Sequence, residues 1–248
     1  MITVANQLDL ENMTVADVAL RFPRALVILN RYNLDYCCGG RKPFVQTCEK
    51  AELDAAFVWQ EIQRESAGLG VDNHMNFGTW DPSVLIDFIV QHHHGYVRDS
   101  IPRIQEMLDK VCEVHREDSP FLLEVHDDFD RLAEELLGHL PKEEEILFPA
   151  ARKLFKNGIT ENMLRGASLH LEAPIAVMEH EHENAGRLIK SIRTLTANYS
   201  PPEYACPTFK LTYTMLQEFD KDLMQHIHLE NNILFPNIIK AQEQRIHQ

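Results

Sequence analysis

Residues 139–149 read HLPKEEEILFP, and residues 226–236 read HIHLENNILFP. A histidine, a glutamate and the run Ile-Leu-Phe-Pro occur at the same offsets in both segments, and the second copy begins 87 residues after the first. A repeat at a fixed offset indicates a structural unit that is present twice. Because the apolar residues around each copy follow a helical period, we interpret the unit as a hairpin of two helices.

Each copy places a histidine and a glutamate four residues apart, His139 with Glu143 and His226 with Glu230. Side chains at this spacing lie on the same face of an α-helix. That face is otherwise apolar in both copies, and it carries Phe129, Leu132, Leu136 and Leu147 in the first and Phe219, Leu223 and Leu234 in the second. A buried carboxylate without a partner is strongly disfavoured, and two that face each other are worse. The pattern therefore predicts a positive charge, such as a metal ion, between them.

The part of the chain after residue 80 is almost wholly helical in pattern. Four long segments can be drawn, 82–115, 120–155, 161–197 and 207–242. Their starts are marked in turn by Asp-Pro, Ser-Pro, Asn-Gly and Pro-Pro dipeptides, which are typical of helix ends. Four such helices predict an all-α fold, with an up-down-up-down four-helix bundle over residues 81–248. Residues 1–65 read as a small domain of short helices, the third of which runs from Cys48 to Glu65, and residues 66–80 read as a linker.

The first and third bundle helices each carry more than one histidine. Successive residues differ by about 100° around a helix, so only one of the consecutive histidines 92–94 is expected to face the core. His94 continues the apolar stripe of Val90, Val97, Ile101 and Ile104, and His182 continues that of Ile175, Met178, Ala185 and Ile189. The strict 87-residue offset would instead pair His93 with His180. We follow the stripes and predict that His94 and His182 face the core.

Four imidazoles and two carboxylates are too many ligands for one tetrahedral zinc ion, and this mixture suits iron or manganese. A centre of two metal ions bridged by Glu143 and Glu230 is the expected arrangement. We expect each ion to bind one pair of histidines, His94 with His139 and His182 with His226. Ligand type alone also admits manganese or zinc.

The composition is that of an ordinary globular chain of 248 residues, with 44% apolar and 25% charged residues. Its formal charge of -14 repels phosphate backbones and anionic lipids, so neither nucleic acid nor a membrane is an expected partner. No apolar run reaches the length of a membrane span, the first residues lack the pattern of a secretion signal, and five cysteines without a CxxC spacing indicate reduced thiols. We therefore expect a cytoplasmic protein.

Three kinds of motif stand out in the chain: the two HxxxExxILFP blocks, the stretch PxxVMExEH that ends at His182, and LDYCCGG, which contains Cys37 and Cys38. Taken together, they make the sequence resemble the repair-of-iron-centres family of hemerythrin-like di-iron proteins. These are bacterial proteins linked to iron-sulfur cluster recovery under nitric oxide and oxidative stress. The resemblance spans nearly the whole chain and implies a hemerythrin-like bundle. By the resemblance, the metal ligands are the same six residues, His94, His139, Glu143, His182, His226 and Glu230.

The resemblance also implies a cofactor of two non-haem iron ions, joined by an oxo or hydroxo bridge and by bridging carboxylates. Glu135 and Glu181 match acidic positions near the family's iron site or its access channel. The glycines that follow Cys37 and Cys38 predict an exposed, mobile loop, for which we suggest a redox or metal-handover role. Pro141 deletes a backbone hydrogen bond inside a helix, so we expect a kink or a π-bulge there.

These features lead to one principal hypothesis and two alternatives. The principal hypothesis is a non-haem di-iron protein that repairs iron-sulfur clusters damaged by nitrosative or oxidative stress, by donating iron to iron-sulfur proteins. The alternatives are a di-iron nitric oxide reductase that forms nitrous oxide, and a sensor that binds O2 or NO. The oligomeric state stays open, with a homodimer as one option.

Overall fold

The computed structural model describes residues 10–67, 75–155 and 170–246. Within these ranges every regular element is a helix, apart from an isolated bridge between Thr14 and Pro43. The predicted all-α class is therefore confirmed. The chain divides into two compact units, of which the first comprises Met1–Asp81 with Ile227–Ile233 and the second Pro82–His226 with Leu234–Gln248.

Short helices make up the described part of residues 10–67. They are α1 (Val15–Arg21), α2 (Ala25–Arg31), α3 (Phe44–Lys50) and α4 (Ala55–Ser66). The helix predicted from Cys48 to Glu65 is not continuous, because the segment contains the end of α3 and nearly all of α4, with residues 51–54 between them. Asp54 separates them: its side chain caps α4 by accepting a hydrogen bond from the Ala56 N–H at 2.8 Å, and an N-cap residue lies outside the helical conformation.

Long helical rods make up the rest of the described chain. The first rod is α5 (Pro82–Phe88), a π-helix π1 (Ile89–His94) and α6 (Gly95–His115); the second is α7 (Leu122–Lys142), π2 (Glu143–Leu147) and α8 (Phe148–Phe155). The third is α9 (Glu172–Leu195), and the fourth is α10 (Pro207–Leu229), π3 (Glu230–Leu234) and α11 (Phe235–Ile246). Residues 161–169 of the predicted third segment lie outside the described residues. None of the described helices is long and apolar enough to cross a membrane.

The π segments coincide with the predicted ligands. His94 is the last residue of π1, Glu143 is the first of π2, and Glu230 is the first of π3. A π turn contains an extra residue and re-aims the side chains at that point of a helix. The deviation expected near Pro141 is present as π2, but π1 and π3 contain no proline, so proline is not the common cause of the three.

The interior of the rods contains the predicted apolar stripes. Phe129 and Phe219 pack edge to face with ring centres 5.4 Å apart, and the other stripe residues of these two helices, Leu132, Leu136, Leu147, Leu223 and Leu234, are also buried. Burial of this face turns His139, Glu143, His226 and Glu230 away from water, because they share it.

A buried ion pair joins α9 to α10. The Asp220 carboxylate accepts hydrogen bonds from Arg193 Nε at 2.6 Å, from Arg193 Nη2 at 2.5 Å and from the Tyr199 hydroxyl at 2.7 Å. The side chain of Asp220 is only 3% exposed, and that of Arg193 is 18% exposed. Removing one partner of a buried pair leaves the other charge uncompensated, which costs more than the pair itself contributes.

We therefore expect Asp220→Asn to lower the free energy of unfolding by about 3 kcal/mol, because Arg193 loses its countercharge in a poorly hydrated position. Urea unfolding of the full chain measures the change. The matched control is Glu106→Gln, which breaks the exposed pair with Lys110 in α6 and should cost about 0.5 kcal/mol or less. Equal losses of unfolding free energy in the two variants would contradict the conclusion that Asp220 and Arg193 form a stabilising buried ion pair.

Candidate metal centre

Buried histidines and glutamates from the four rods form two overlapping groups. The first group is His94, Glu143, His226 and Glu230, and the second is His139, Glu143, His182 and Glu230. In each group one ligand atom of every residue lies within 4.8 Å of the others. The six side chains are those chosen from the stripes, each residue is at most 2% exposed, and both carboxylates are common to the two groups.

The nitrogen and oxygen atoms are spaced like neighbouring ligands of a metal ion. His94 Nε2 lies 3.1 Å from His226 Nε2, and His182 Nε2 lies 3.1 Å from His139 Nε2. Glu143 Oε2 lies 3.4 Å from His94 Nε2 and 3.2 Å from His139 Nε2. Ligands bound about 2.1 Å from an ion, at angles of about 90–110°, are about 3.0–3.4 Å apart. The donor set and its spacing therefore fit metal binding.

The histidines pair differently from our prediction. We expected His94 with His139 and His182 with His226, but the groups join His94 with His226 and His139 with His182. Ring centres are 4.8 Å apart in both observed pairs. The prediction was wrong because it assigned one ion to each repeated hairpin. Each group instead takes one histidine from each hairpin, since the first rod meets the fourth and the second meets the third at this level.

Glu144 determines which nitrogen of His94 carries a proton. Its Oε1 accepts hydrogen bonds from His94 Nδ1 at 2.6 Å and from Arg98 Nη2 at 2.7 Å. Burial acts to raise the pKa of Glu144, but the hydrogen bonds and charges of His94 and Arg98 outweigh it and lower the pKa. An ionised carboxylate can only accept, so in the neutral ring the proton lies on Nδ1 and the Nε2 lone pair faces Glu143. Sequence reasoning missed Glu144, although its position beside Glu143 was a signal.

Glu181 holds the His139 ring in the same way. His139 Nδ1 donates to Glu181 Oε2 at 2.8 Å, and Lys142 Nζ donates to the other oxygen of that carboxylate. Burial acts to raise the pKa of Glu181, but the hydrogen bonds from Lys142 and His139 lower it overall. The Nε2 of the neutral His139 ring is then also an acceptor, facing Glu143 Oε2. Acceptors that face each other in a dry interior repel unless a cation lies between them.

Comparison with known proteins agrees with this geometry. The family described as hemerythrin HHE cation binding domain matches residues 85–238, and a domain of unknown function, DUF542, matches residues 11–66. The iron-sulfur cluster repair protein YtfE of Yersinia pestis (strain Pestoides F) is 33% identical over 238 residues, which is 95% of this chain and 100% of that protein. YtfE of Yersinia pseudotuberculosis serotype IB (strain PB1/+) is 32% identical over the same shares. The chain belongs to the hemerythrin-like repair-of-iron-centres family.

The match to the cation-binding domain spans all six candidate ligands, and the buried histidine and glutamate groups have the composition and spacing of a metal-binding site. The resemblance stated from the motifs is therefore confirmed at the level of the family. The resemblance also implied a role for two further acidic residues, Glu135 and Glu181. Glu181 contacts the site through its hydrogen bond with His139. Glu135 is exposed on α7 and belongs to neither group, so its role stays a prediction.

The loop of Cys37 and Cys38 is more enclosed than predicted. Cys37 is buried, and only Cys38 is partly exposed. The Asp35 carboxylate shapes the loop, because it accepts hydrogen bonds from the Cys37 N–H at 3.1 Å and from the Gly39 N–H at 2.9 Å. A Cβ on Gly40 would lie 2.5 Å from the Tyr36 carbonyl oxygen, so the close turn requires glycine there. The expected exposure is wrong for Cys37, and burial raises the pKa of its thiol.

Glu144→Gln tests the orientation of His94. The amide cannot provide the negative charge that keeps the proton on Nδ1, so we expect metal affinity to fall by about 10–100-fold, the usual effect of losing such a partner. Competition with a chromophoric chelator measures the affinity. The control is Glu145→Gln, because Glu145 is exposed in the same π segment. Unchanged affinity in Glu144→Gln would show that this carboxylate does not support the centre.

Proposed function

We propose that the centre binds two iron ions, with Glu143 and Glu230 as bridging carboxylates, and that the protein repairs damaged iron-sulfur clusters by supplying iron. The observation that carries the proposal is the sharing of both carboxylates by two groups that each contain two histidines. Imidazole with carboxylate suits iron. The similar Yersinia proteins bear the name iron-sulfur cluster repair protein, which supports the same function here.

The ligand set suits an ion that must be held and later released. Four neutral imidazoles and two carboxylates bring only two negative charges against at least four positive charges of two iron ions. The centre thus keeps a positive remainder, and it binds ferrous iron less tightly than ferric iron because the electrostatic attraction is smaller. If the iron were held in the ferric state, an external reductant would have to supply one electron per ion to bring it to the more weakly held ferrous state. Iron is the cargo in this proposal, and iron-sulfur proteins are its recipients.

The residues around the ligands limit where protons reside. Glu144 with Arg98 and Glu181 with Lys142 keep His94 and His139 in the tautomer that presents Nε2 to an ion. Because these acidic groups are themselves paired with cations, they stay ionised and do not compete for the iron. The side chains of Glu144 and Glu181 are 25% and 24% exposed, whereas those of His94 and His139 are 0% and 3% exposed, so the carboxylates reach solvent while the rings that they hold stay buried.

We further propose that Cys37 and Cys38 act in handing iron to the recipient. Cys37 Sγ and Cys38 Sγ lie 3.5 Å apart, well beyond the length of a disulfide bond of about 2.05 Å, so both are thiols. Only Cys38 is accessible enough to meet a partner first, since Cys37 is buried. Within the same compact unit, Asn232 Nδ2 donates to the Tyr36 carbonyl oxygen at 3.1 Å. This bond links the residue before the thiols to the segment that contains Glu230.

His182→Ala tests the iron centre. We expect the variant to lose stoichiometric iron and to rebuild less than a tenth of the clusters that the native protein rebuilds, because His182 is a ligand in the second group. Iron content and the recovered activity of an apo iron-sulfur enzyme are the measurements. The control is His180→Ala on the same helix, where the side chain is 69% exposed, and it should retain both properties.

Full iron content and repair in His182→Ala would contradict the proposed ligand set. Anaerobic exposure of the iron-loaded native protein to nitric oxide, with the nitrous oxide formed measured by gas analysis, tests the enzymatic alternative. If the native protein formed many equivalents of nitrous oxide from nitric oxide without loss of iron, and rebuilt no cluster, the donor function would be wrong and a nitric oxide reductase would replace it.

The double variant Cys37→Ala with Cys38→Ala tests the thiols. We expect it to bind as much iron as the native protein but to deliver it several-fold more slowly, since the ligands are intact and only the transfer step is changed. The rate of cluster rebuilding at equal iron loading is the measurement. Cys206→Ser is the control, as this cysteine precedes α10 and lies outside the loop. An unchanged delivery rate would remove the thiols from the mechanism.

A further inference from the structure

A separate cluster of metal-binding side chains lies between the first and fourth rods. It consists of His92 and His93 of π1 and Asp222 of α10, and one ligand atom of each lies within 4.8 Å of the others. None of these residues belongs to the two groups of the candidate metal centre. The sequence stripes did not predict it, because they assume that only one of the histidines 92–94 faces inward.

The extra residue of the π turn explains why two consecutive histidines are buried. His93 and His94 are both 0% exposed, whereas a regular helix would separate them by about 100°. The wider π turn brings both toward the interior. His94 reaches the candidate metal centre, and His93 turns to the neighbouring Asp222. One backbone feature thereby places two consecutive histidines in two different side-chain clusters.

The spacing within this cluster fits a cation. His93 Nδ1 lies 3.0 Å from Asp222 Oδ1. Two ligands that each lie about 2.1 Å from one ion, with an angle of about 90° between them, are separated by about the same distance. Ligands on opposite sides of such an ion would be about 4.2 Å apart. His92 is exposed, and its ligand atom lies within 4.8 Å of the other two, which is close to that separation.

Packing holds the rings close to this arrangement. Phe88 stacks on His92 with ring centres 5.0 Å apart, and His93 stacks on His226 at 5.5 Å with the planes 4° apart. The charge near the cluster is negative, because Glu218 lies one helical turn before Asp222. The negative charges of both carboxylates act to raise the pKa of the nearby Tyr96. A cation is the ligand that this charge and these ring orientations favour.

Two buried atoms of the cluster are left without hydrogen bonds. Asp222 Oδ2 and His93 Nε2 have no hydrogen-bond partner among the described residues. The His93–Asp222 hydrogen bond accounts for only one atom of each side chain. Buried polar atoms usually find a partner, and a carboxylate that coordinates a cation would gain compensation for its buried oxygen. The hydrogen bond between His93 and Asp222 also does not explain why a ring nitrogen of His92 lies within 4.8 Å of both.

We propose that His92, His93 and Asp222 form a mononuclear site for a first-row divalent cation, distinct from the candidate metal centre. Two imidazoles and one carboxylate leave positions for water, and this ligand set binds ferrous iron and zinc. The exposed His92 opens the site to solvent, so the ion exchanges more readily than ions among the six fully buried ligands. The proposal goes beyond cluster repair and does not depend on it.

Equilibrium dialysis of the iron-loaded full chain against Zn2+ tests the site, with iron and zinc measured in the same samples. The native protein should bind one zinc ion per chain without losing iron. His92→Ala and Asp222→Asn should each weaken that binding by at least tenfold and leave the iron content unchanged. His180→Ala, which removes an exposed histidine of α9, should bind zinc like the native protein.

The proposal is overturned if zinc binds only in exchange for iron, if no zinc binds, or if His92→Ala binds zinc as tightly as the native protein. His92 is on the surface, so its alanine variant keeps the core intact, and a far-ultraviolet circular dichroism spectrum verifies this. None of these outcomes depends on whether iron-sulfur clusters are repaired, so failure of this site and failure of the proposed function are distinguishable.

Discussion

Hydrogen-bond acceptors that face one another in a dry interior are the constraint on which the centre depends. The Nε2 atoms of His94 and His139 both face Glu143 Oε2, at 3.4 and 3.2 Å. Glu144 and Glu181 hold the ring protons on the opposite nitrogens. Such an arrangement is unfavourable without a cation, and it therefore couples the packing of the four rods to metal binding.

The π segments are the backbone feature that makes this arrangement possible. Regular helices would place ligands only at three- or four-residue intervals along a stripe. In addition, π1, π2 and π3 each begin or end at a candidate ligand, so three of the four rods depart from a regular α-helix at the level of the candidate ligands. The third rod, α9, is regular through His182. The centre thus combines three re-aimed ligand turns with one ordinary helix.

Sequence reasoning succeeded where periodicity alone determines the structure. The repeat and the apolar stripes identified the helical class and the six side chains that the structure brings together, since burial of a helix face follows directly from residue spacing. It failed where tertiary contacts decide. The pairing of His94 with His226 depends on how the two hairpins combine, Glu144 depends on the reach of a neighbouring side chain, and the burial of both His93 and His94 depends on a π turn that no proline marks.

A crystal structure of the anaerobically iron-loaded protein, with anomalous scattering measured at the iron edge, tests the central claim most directly. The account predicts two anomalous peaks, one beside His94 and His226 and the other beside His139 and His182, with Glu143 and Glu230 between them. A single peak outside these groups, or an interior without iron in which the six side chains bond only to one another, would contradict it.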